Sequence, residues 1–453
     1  MTRWSPFVRI GVRTGVGLLW LAGHSWCAAQ ALSFAQAAEL ARQNDPRLQM
    51  ARQDLAVRRA QMEQAYGQLL PNASLSYSRF DGNRKTSGAT SFPPTNFVSE
   101  NTTLSVRQPL YRKALGAGYQ KSKALLQSSE QELNKEEMEL SLRTLQAYLE
   151  VLTVRQLIQA NASQVAALTA QQDYVRQAQD KGFMRKTDLL EAQSRLRSAE
   201  ADQRALQGRL GLGWTALSRL TRQEMPTLWQ LSALRVQEQV RRQLQTPADL
   251  HQWWTRAQEG SFQLKSLRAQ EEAAKIEMDI ASAGHLPSVD LVYQELSSGN
   301  ELPNTPNNLY RTQQLGLQVT VPIYAGGAVN AAQRLAQAAY TKIQWQFTYA
   351  NDQLQMEVQS SHNALLDAQT RLEHLTLDLQ AKNESLRAVE QAFQAGLDTR
   401  LNVLQAQERL QQTRYGMLDQ AGKYLQQWLK LEAASGQIDE KLVTSLSQWF
   451  EPM

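Results

Sequence analysis

Residues 181–196 read KGFMRKTDLLEAQSRL, and residues 395–410 read AGLDTRLNVLQAQERL. Each stretch holds a glycine, Gly182 or Gly396, that ends one helix-forming run, and a second run begins within a few residues. Upstream of these glycines the chain has neither Gly nor Pro over 119–181 or over 328–395. At about 1.5 Å per residue, helices of that length extend roughly 95–100 Å, which no compact globular domain accommodates. The first run carries two apolar seams. Leu142, Leu145, Leu149 and Leu152 fall at a/d-like spacing, while Leu126, Leu133, Leu140, Ala147 and Val154 recur every seventh residue on another face. A helix with two seams meets neighbours on both sides, so the pattern predicts a wall of long helical hairpins.

The likeness between the two turns extends outward. Residues 48–71 align without gaps to 264–287, and SVRQPLY at 105–111 matches VTVPIY at 319–324, all about 215 residues apart. Three blocks in one order mark a duplication, with copies over 32–245 and 246–453. Each copy opens with a helix, 33–68 or 249–284, closed by Leu70-Pro71 or Leu286-Pro287, where proline cannot continue helical hydrogen bonding. Strand-like runs follow at 73–80 and 101–111, then at 289–296 and 311–324. Leu315, Leu317, Val319 and Val321 alternate with Gln314, Gly316, Gln318 and Thr320, giving one apolar and one polar face. Polar segments rich in Gly, Pro and Asn, 81–99 and 297–310, are expected as loops. The expected fold class is therefore mixed, with long helical hairpins and four β-strands per chain. Four strands cannot close a barrel alone and call for other copies.

The chain has 453 residues, 42% hydrophobic and 20% charged, and a mean hydropathy of -0.48. No apolar run reaches the ~20 residues of a membrane-spanning helix, which leaves a β-barrel open because its strands are short and alternating. Residues 1–31 run from Arg3, Arg9 and Arg13 through an apolar stretch at 15–23 to Ala28-Ala29-Gln30-Ala31, the order of a secretory signal peptide. Cleavage after Ala31 removes three arginines and Cys27, so the net charge of +5 falls to about +2 and no nucleic-acid partner is implied. An acylated Cys27 is disfavoured because Trp26 stands where processing needs a small residue.

Enzymatic signals are weak, and no cofactor or metal is expected. His362 and His374 lie about 18 Å apart along a helix, too far to share an ion. Gly208, Gly211 and Gly213 read as helix breakers, Glu136, Glu137 and Glu139 as a solvated patch, and Trp214, Trp253 and Trp254 as aromatic packing near the repeat junction. A soluble sheet, or a periplasmic adaptor or coiled-coil tether without a channel, remains the competing reading of the strands and hairpins.

The leader, the duplicated order of helix, two strands and long hairpin, the LLP and HLP breaks, and the paired GFMRKTDLLEAQ and GLDTRLNVLQAQ turns together resemble the TolC-like outer-membrane efflux protein family. The resemblance covers nearly all of the chain after the leader. It implies a homotrimer in the outer-membrane lipid, a twelve-stranded barrel, and a periplasmic helical tunnel. That tunnel would meet a periplasmic adaptor and an inner-membrane ABC or proton-driven pump, for type I protein secretion or for multidrug or metal efflux. It also implies that Gly182, Phe183, Gly396 and Leu397 dock the adaptor at the periplasmic tip. Members close that tip through a tyrosine, an arginine and an aspartate. Asp188 matches the aspartate, whereas Phe393 stands for the tyrosine and Asp398 for the arginine, with Arg400 two residues later. Asn402 and Gln405 occupy positions that are acidic in some members. The expectation is a gate closed by Arg185 or Arg400 with Asp188 and Asp398, and a weaker preference for cations.

Overall fold

A computed structural model describes residues 34–85, 95–222, 233–234, 249–302, 305–436, 438, 442 and 450–451. The leader expected over 1–31 and the centre of the first loop, 86–94, lie outside these residues. Helices α1 (Phe34–Asn44) and α2 (Pro46–Gly67) lead into strands β1 (Asn72–Arg84) and β2 (Thr95–Tyr111), then into the hairpin of α3 (Lys113–Asp180) and α4 (Lys186–Thr221). After the short β3 (Ala233–Leu234) the same order returns. It runs α5 (Leu250–Gly260), α6 (Phe262–Ser282), β4 (Ser288–Leu302), β5 (Thr305–Thr320), α7 (Ala328–Gln394) and α8 (Arg400–Ala434). A last strand, β6 (Phe450–Glu451), pairs with β3.

The main sheet is antiparallel throughout, in the order β1-β2-β4-β5. Its register sets Leu75 opposite Leu104, Val106 opposite Tyr293, Tyr293 opposite Leu315, and Leu291 opposite Leu317. Alternation then collects these residues on one face, and Ser74, Ser76, Thr103, Ser105, Gln294, Gln314 and Gln318 on the other. The apolar face stands uncovered, with Leu75, Leu315 and Leu317 exposed by 72%, 69% and 65%. A face this apolar and open needs an apolar surrounding.

The strands are longer than the sequence pattern indicates. Both hairpins continue through 81–84, 95–99, 297–302 and 305–310, because cross-strand backbone pairing persists after the apolar alternation ends. Polar pairs such as Asn83 with Asn96, at 2.7 Å, stand in for apolar ones there. β5 in turn stops at Thr320, short of the expected Tyr324, ahead of Pro322, which has no backbone N–H to donate.

Each helix expected ahead of the strands is two helices. Asp45 accepts hydrogen bonds from the backbone N–H groups of Arg47 and Leu48, at 2.9 and 3.1 Å, and Pro46 follows as the first helical residue, so α1 ends and α2 restarts. In the second copy Ser261 plays that part, accepting from the N–H of Leu264 at 3.4 Å. Gly208, Gly211 and Gly213, expected to break a helix, lie inside α4. Gly213 is instead a close-approach position, where an added Cβ would sit 3.1 Å from Val151.

The helices lie side by side in two tiers. Next to the sheet the order is α2, α3, α6, α7; at the far end it is α4, α3, α8, α7. Only α3 and α7 run through both tiers. The seam residues of α3 fall into several clusters along its length. Leu145, Leu149 and Leu152 join Phe34, Tyr148, Leu217, Trp253, Tyr424 and Leu425 in the main core at the middle of the chain. Leu133 and Leu140 pack instead with Ala41 and Leu48, and Val154 packs with Leu157 and Leu206. Trp253 is buried in that main core, as expected of an aromatic at the repeat junction.

At the break between α5 and α6, the backbone of Gly260 touches the backbone beyond α8, and a Cβ on Gly260 would lie 1.8 Å from the carbonyl oxygen of Ser435. Gly260→Ala is therefore expected to destabilise the chain by about 2–3 kcal/mol, since two backbones must separate. Gly416→Ala, whose new Cβ would meet Leu375 at an ordinary 3.8 Å, should stabilise it by about 0.5–1 kcal/mol. Thermal unfolding of the two variants in detergent, followed by circular dichroism, checks both signs.

Candidate functional site

The ends of the two helical hairpins share a backbone and differ in chemistry. At the first, Gly182 takes φ +79° and the N–H of Phe183 reaches back to the carbonyl of Ala178 at 2.8 Å. At the second, Gly396 takes φ +75° and the N–H of Leu397 reaches the carbonyl of Ala392, again at 2.8 Å. Both are left-handed glycine caps, a geometry that side chains with a Cβ resist. The turn then holds the next side chain outward, leaving Phe183 and Leu397 exposed by 82% and 83%. Two apolar side chains thus stand exposed at the apex of otherwise polar turns.

The restarting helices use different caps. Asp188, one turn into α4, accepts from the backbone N–H of Arg185 at 2.9 Å, and the Arg185 guanidinium approaches the same carboxylate at 3.9 Å. Ahead of α8, Thr399 accepts from the N–H of Asn402 at 3.3 Å. Asp398 accepts from the N–H of Thr399 at 2.7 Å and from the side-chain amide of Asn402 at 2.5 Å. Arg400 lies over the ring of Phe393, its guanidinium carbon 5.9 Å from the ring centre. Within one chain, each charged residue singled out from the sequence thus serves its own turn. Arg185 holds Asp188, whereas Asp398 is engaged by Thr399 and Asn402 rather than by an arginine.

What brings the two hairpins together is a cleft just above the turns. It is lined by Gln171 and Val175 of α3, Met184, Asp188, and Leu401 and Gln405 of α8. Asp188 and Gln405 therefore face one space from opposite hairpins. Deeper in, Arg195 of α4 bonds Glu191 at 2.6 Å and reaches Glu408 of α8 at 3.4 Å, an ionic link between hairpins. Sequence reasoning missed Arg195, Glu408 and Gln171. The four-residue spacing of Glu191 and Arg195 was a readable signal, but the partner on α8 becomes visible only once the helices are placed. Among the described residues, no group of His, Cys, Asp or Glu is arranged to hold a metal ion, and no helix is long and apolar enough to cross a membrane.

The comparisons agree with this geometry. The outer membrane efflux protein family matches residues 37–221 and 253–437, one match in each copy of the repeat. The chain is 28% identical over 442 residues to the proteases secretion protein PrtF of Dickeya chrysanthemi, covering 93% of this chain and 92% of that protein. It is 26% identical over 420 residues to the alkaline protease secretion protein AprF of Pseudomonas aeruginosa, covering 91% and 86%. The outer-membrane channel OprN shares the fold at a TM-score of 0.75 and 16% identity, covering 89% of this chain and 90% of that one. The outer membrane protein VceC of Vibrio cholerae does so at 0.73 and 19%, covering 89% and 96%. A duplicated helix, strand and hairpin plan, an uncovered apolar sheet face, and a match over both copies together make this chain a member of the outer membrane efflux protein family, a transport family of the bacterial outer membrane and not an enzyme class.

Proposed function

We propose that the chain is the outer-membrane exit duct of a tripartite export system, assembled as a homotrimer and serving type I protein secretion. The observation that carries this reading is the set of unfilled edges. Among the described residues, β1 and β5 each pair on one side only, and α2, α4 and α7 each leave one flank without a neighbouring helix. These three helices also carry exposed apolar residues, among them Met50 and Val57 on α2, Leu212 on α4, and Trp345 and Tyr349 on α7. Backbone groups at a sheet edge inside lipid cost several kcal/mol each unless paired, so an apolar-faced sheet with two open edges closes into a barrel. Three copies supply twelve strands and a matching ring of helices. An adaptor or soluble tether would have no use for an uncovered face of Leu, Val and Tyr.

In this reading 1–31 is a leader, and 32–245 and 246–453 are the two repeats that form the wall of the duct. The periplasmic tip docks an adaptor through Phe183 and Leu397 on their Gly182 and Gly396 turns, and an inner-membrane ABC or proton-driven pump supplies the energy. The ABC alternative and a protein cargo draw support from the two relatives named for protease secretion, which match over nearly the full chain. The gate is set by Arg185, Asp188, Phe393, Asp398, Arg400, Asn402 and Gln405, closed within turns by weak contacts and between hairpins by the cleft that Asp188 and Gln405 share. An exposed pair such as Arg185 with Asp188 contributes about 0–1 kcal/mol, so it biases the gate without locking it.

Fractionation with native mass measurement tests the assembly: detergent-dependent extraction from the outer membrane as a trimer is the expected result, and release as a soluble periplasmic monomer would refute the duct. Export of the cargo encoded beside a co-expressed ABC transporter should fall at least tenfold in a Phe183→Asp, Leu397→Asp double variant that still inserts and trimerises, because charged knobs lose the apolar contact. In planar bilayers, Asp188→Ala and Asp398→Ala should raise conductance and reduce cation preference by loosening the turns. Unaltered conductance and selectivity in both would remove these carboxylates from the gate.

A further inference from the structure

We infer that Arg107 and Arg112 form a positively charged selectivity element at the inner base of the barrel, held in place by Asp290, which favours passage of anions and of acidic cargo segments. The inference rests on the channel reading, since it needs the polar face of the sheet to line a lumen.

The polar face is almost free of charge. Along β1, β2, β4 and β5 it presents mostly serine, threonine, asparagine and glutamine, with Phe80, Val292 and Leu296 among them, and among its described side chains the charged ones are Arg107 and Asp290. Asp290 is met by two guanidinium groups. Arg107 reaches it with two nitrogens, at 2.5 and 3.1 Å, and Arg112, the residue just before α3, does so at 2.6 and 2.8 Å. Two cations against one carboxylate leave one net positive charge per chain. The exposure of the three groups decides which sign the lumen meets: the Asp290 side chain is 1% exposed, whereas those of Arg107 and Arg112 are 44% and 32% exposed. The carboxylate is spent beneath the arginines, and the uncancelled charge faces open space. Both strands involved, β2 and β4, lie in the middle of the sheet, so pairing with another copy at β1 or β5 leaves the cluster uncovered.

The same contacts also tie β2, β4 and the residue that caps the start of α3 together, and a purely structural clamp would need no excess charge. Asp290 is accordingly a positioning residue and the arginines carry the selectivity. Fixed charge acts on permeating ions within about a Debye length, roughly 10 Å at 0.1 M salt, so the effect should be clearest at low ionic strength.

The full-length protein reconstituted in planar bilayers under a potassium chloride gradient at low salt gives the anion-to-cation permeability ratio from the reversal potential. The ratio should fall about two-fold in Arg107→Gln and in Arg112→Gln and stay near the starting value in Arg107→Lys, and the differences between variants and unsubstituted channel should shrink as salt rises and screens the fixed charge in all of them. Ser105→Glu, on the same face and outside the cluster, should lower the ratio while leaving the clamp intact, which covers the case in which the glutamine variants do not insert. An unchanged ratio in inserted Arg107→Gln, Arg112→Gln or Ser105→Glu channels would overturn the inference. Absence of any conductance from the unsubstituted protein would instead overturn the channel reading, and this inference with it.

Discussion

Backbone hydrogen bonding along the edges of β1 and β5 is the requirement from which the other features follow. The apolar face of the sheet asks for lipid, and lipid leaves no water to satisfy the N–H and C=O groups at an open edge. A four-stranded sheet meets the first demand and fails the second, so its closure has to come from further copies. Helix α2 ends just before β1, and α3 begins just after β2; α6 and α7 flank β4 and β5 in the same way. Whatever closes the sheet therefore also brings the outer flanks of α2 and α4 toward α7 of another copy. In the proposed assembly the helical wall would take its symmetry from the edge problem in the membrane, with the helices' open flanks meeting the same demand from the aqueous side.

Much of this was legible in the sequence because periodicity and breakers are local. The Gly- and Pro-free runs gave α3 and α7, Gly182 and Gly396 gave the turns, and the two leucine seams gave neighbours on both sides, which the separate clusters around Leu145 and Leu140 bear out. The strand ends were misread because β1 and β4 pass beyond their apolar alternation into Asp81, Asn83, Ser297 and Ser298, where pairing is maintained by the backbone and by polar partners. The helix breaks at Asp45 and Ser261 were readable in principle, since Asp-Pro is a strong restart signal, but the continuing amphipathic pattern hid them. Gly208, Gly211 and Gly213 misled in the opposite direction: tertiary packing outweighs a helix-propensity cost of about 1 kcal/mol per glycine, and Gly213 makes room for Val151.

At the tip, residue identity and backbone geometry were legible and pairing was not. The sequence placed Asp188, Asp398, Arg185 and Arg400 near the turns. It could not say that Asp398 would be taken by Thr399 and Asn402, or that Arg400 would settle over Phe393. Short polar side chains beside a helix start compete for the nearest free backbone N–H groups, and proximity in sequence favours them over partners on another hairpin. The inter-hairpin link of Arg195 with Glu408 lies higher, in the ordered part of the wall, where two helices already run side by side.

The staggered ends of the helices have a mechanical meaning. α2 and α6 begin where α1, α5 and the last turns of α4 and α8 meet the main core, but α3 and α7 pass through that level without interruption. The pattern is that of a running bond in masonry, in which each vertical joint is bridged by a full-length course beside it. A load applied to one end of such a wall is passed on as shear between overlapping courses and does not open a seam at the joint. For a chain with one end fixed in a membrane and the other gripped by its partners, displacement at the tip would thus be carried along α3 and α7 to the base of the strands, where Arg112 ties the start of α3 to Asp290 in the sheet.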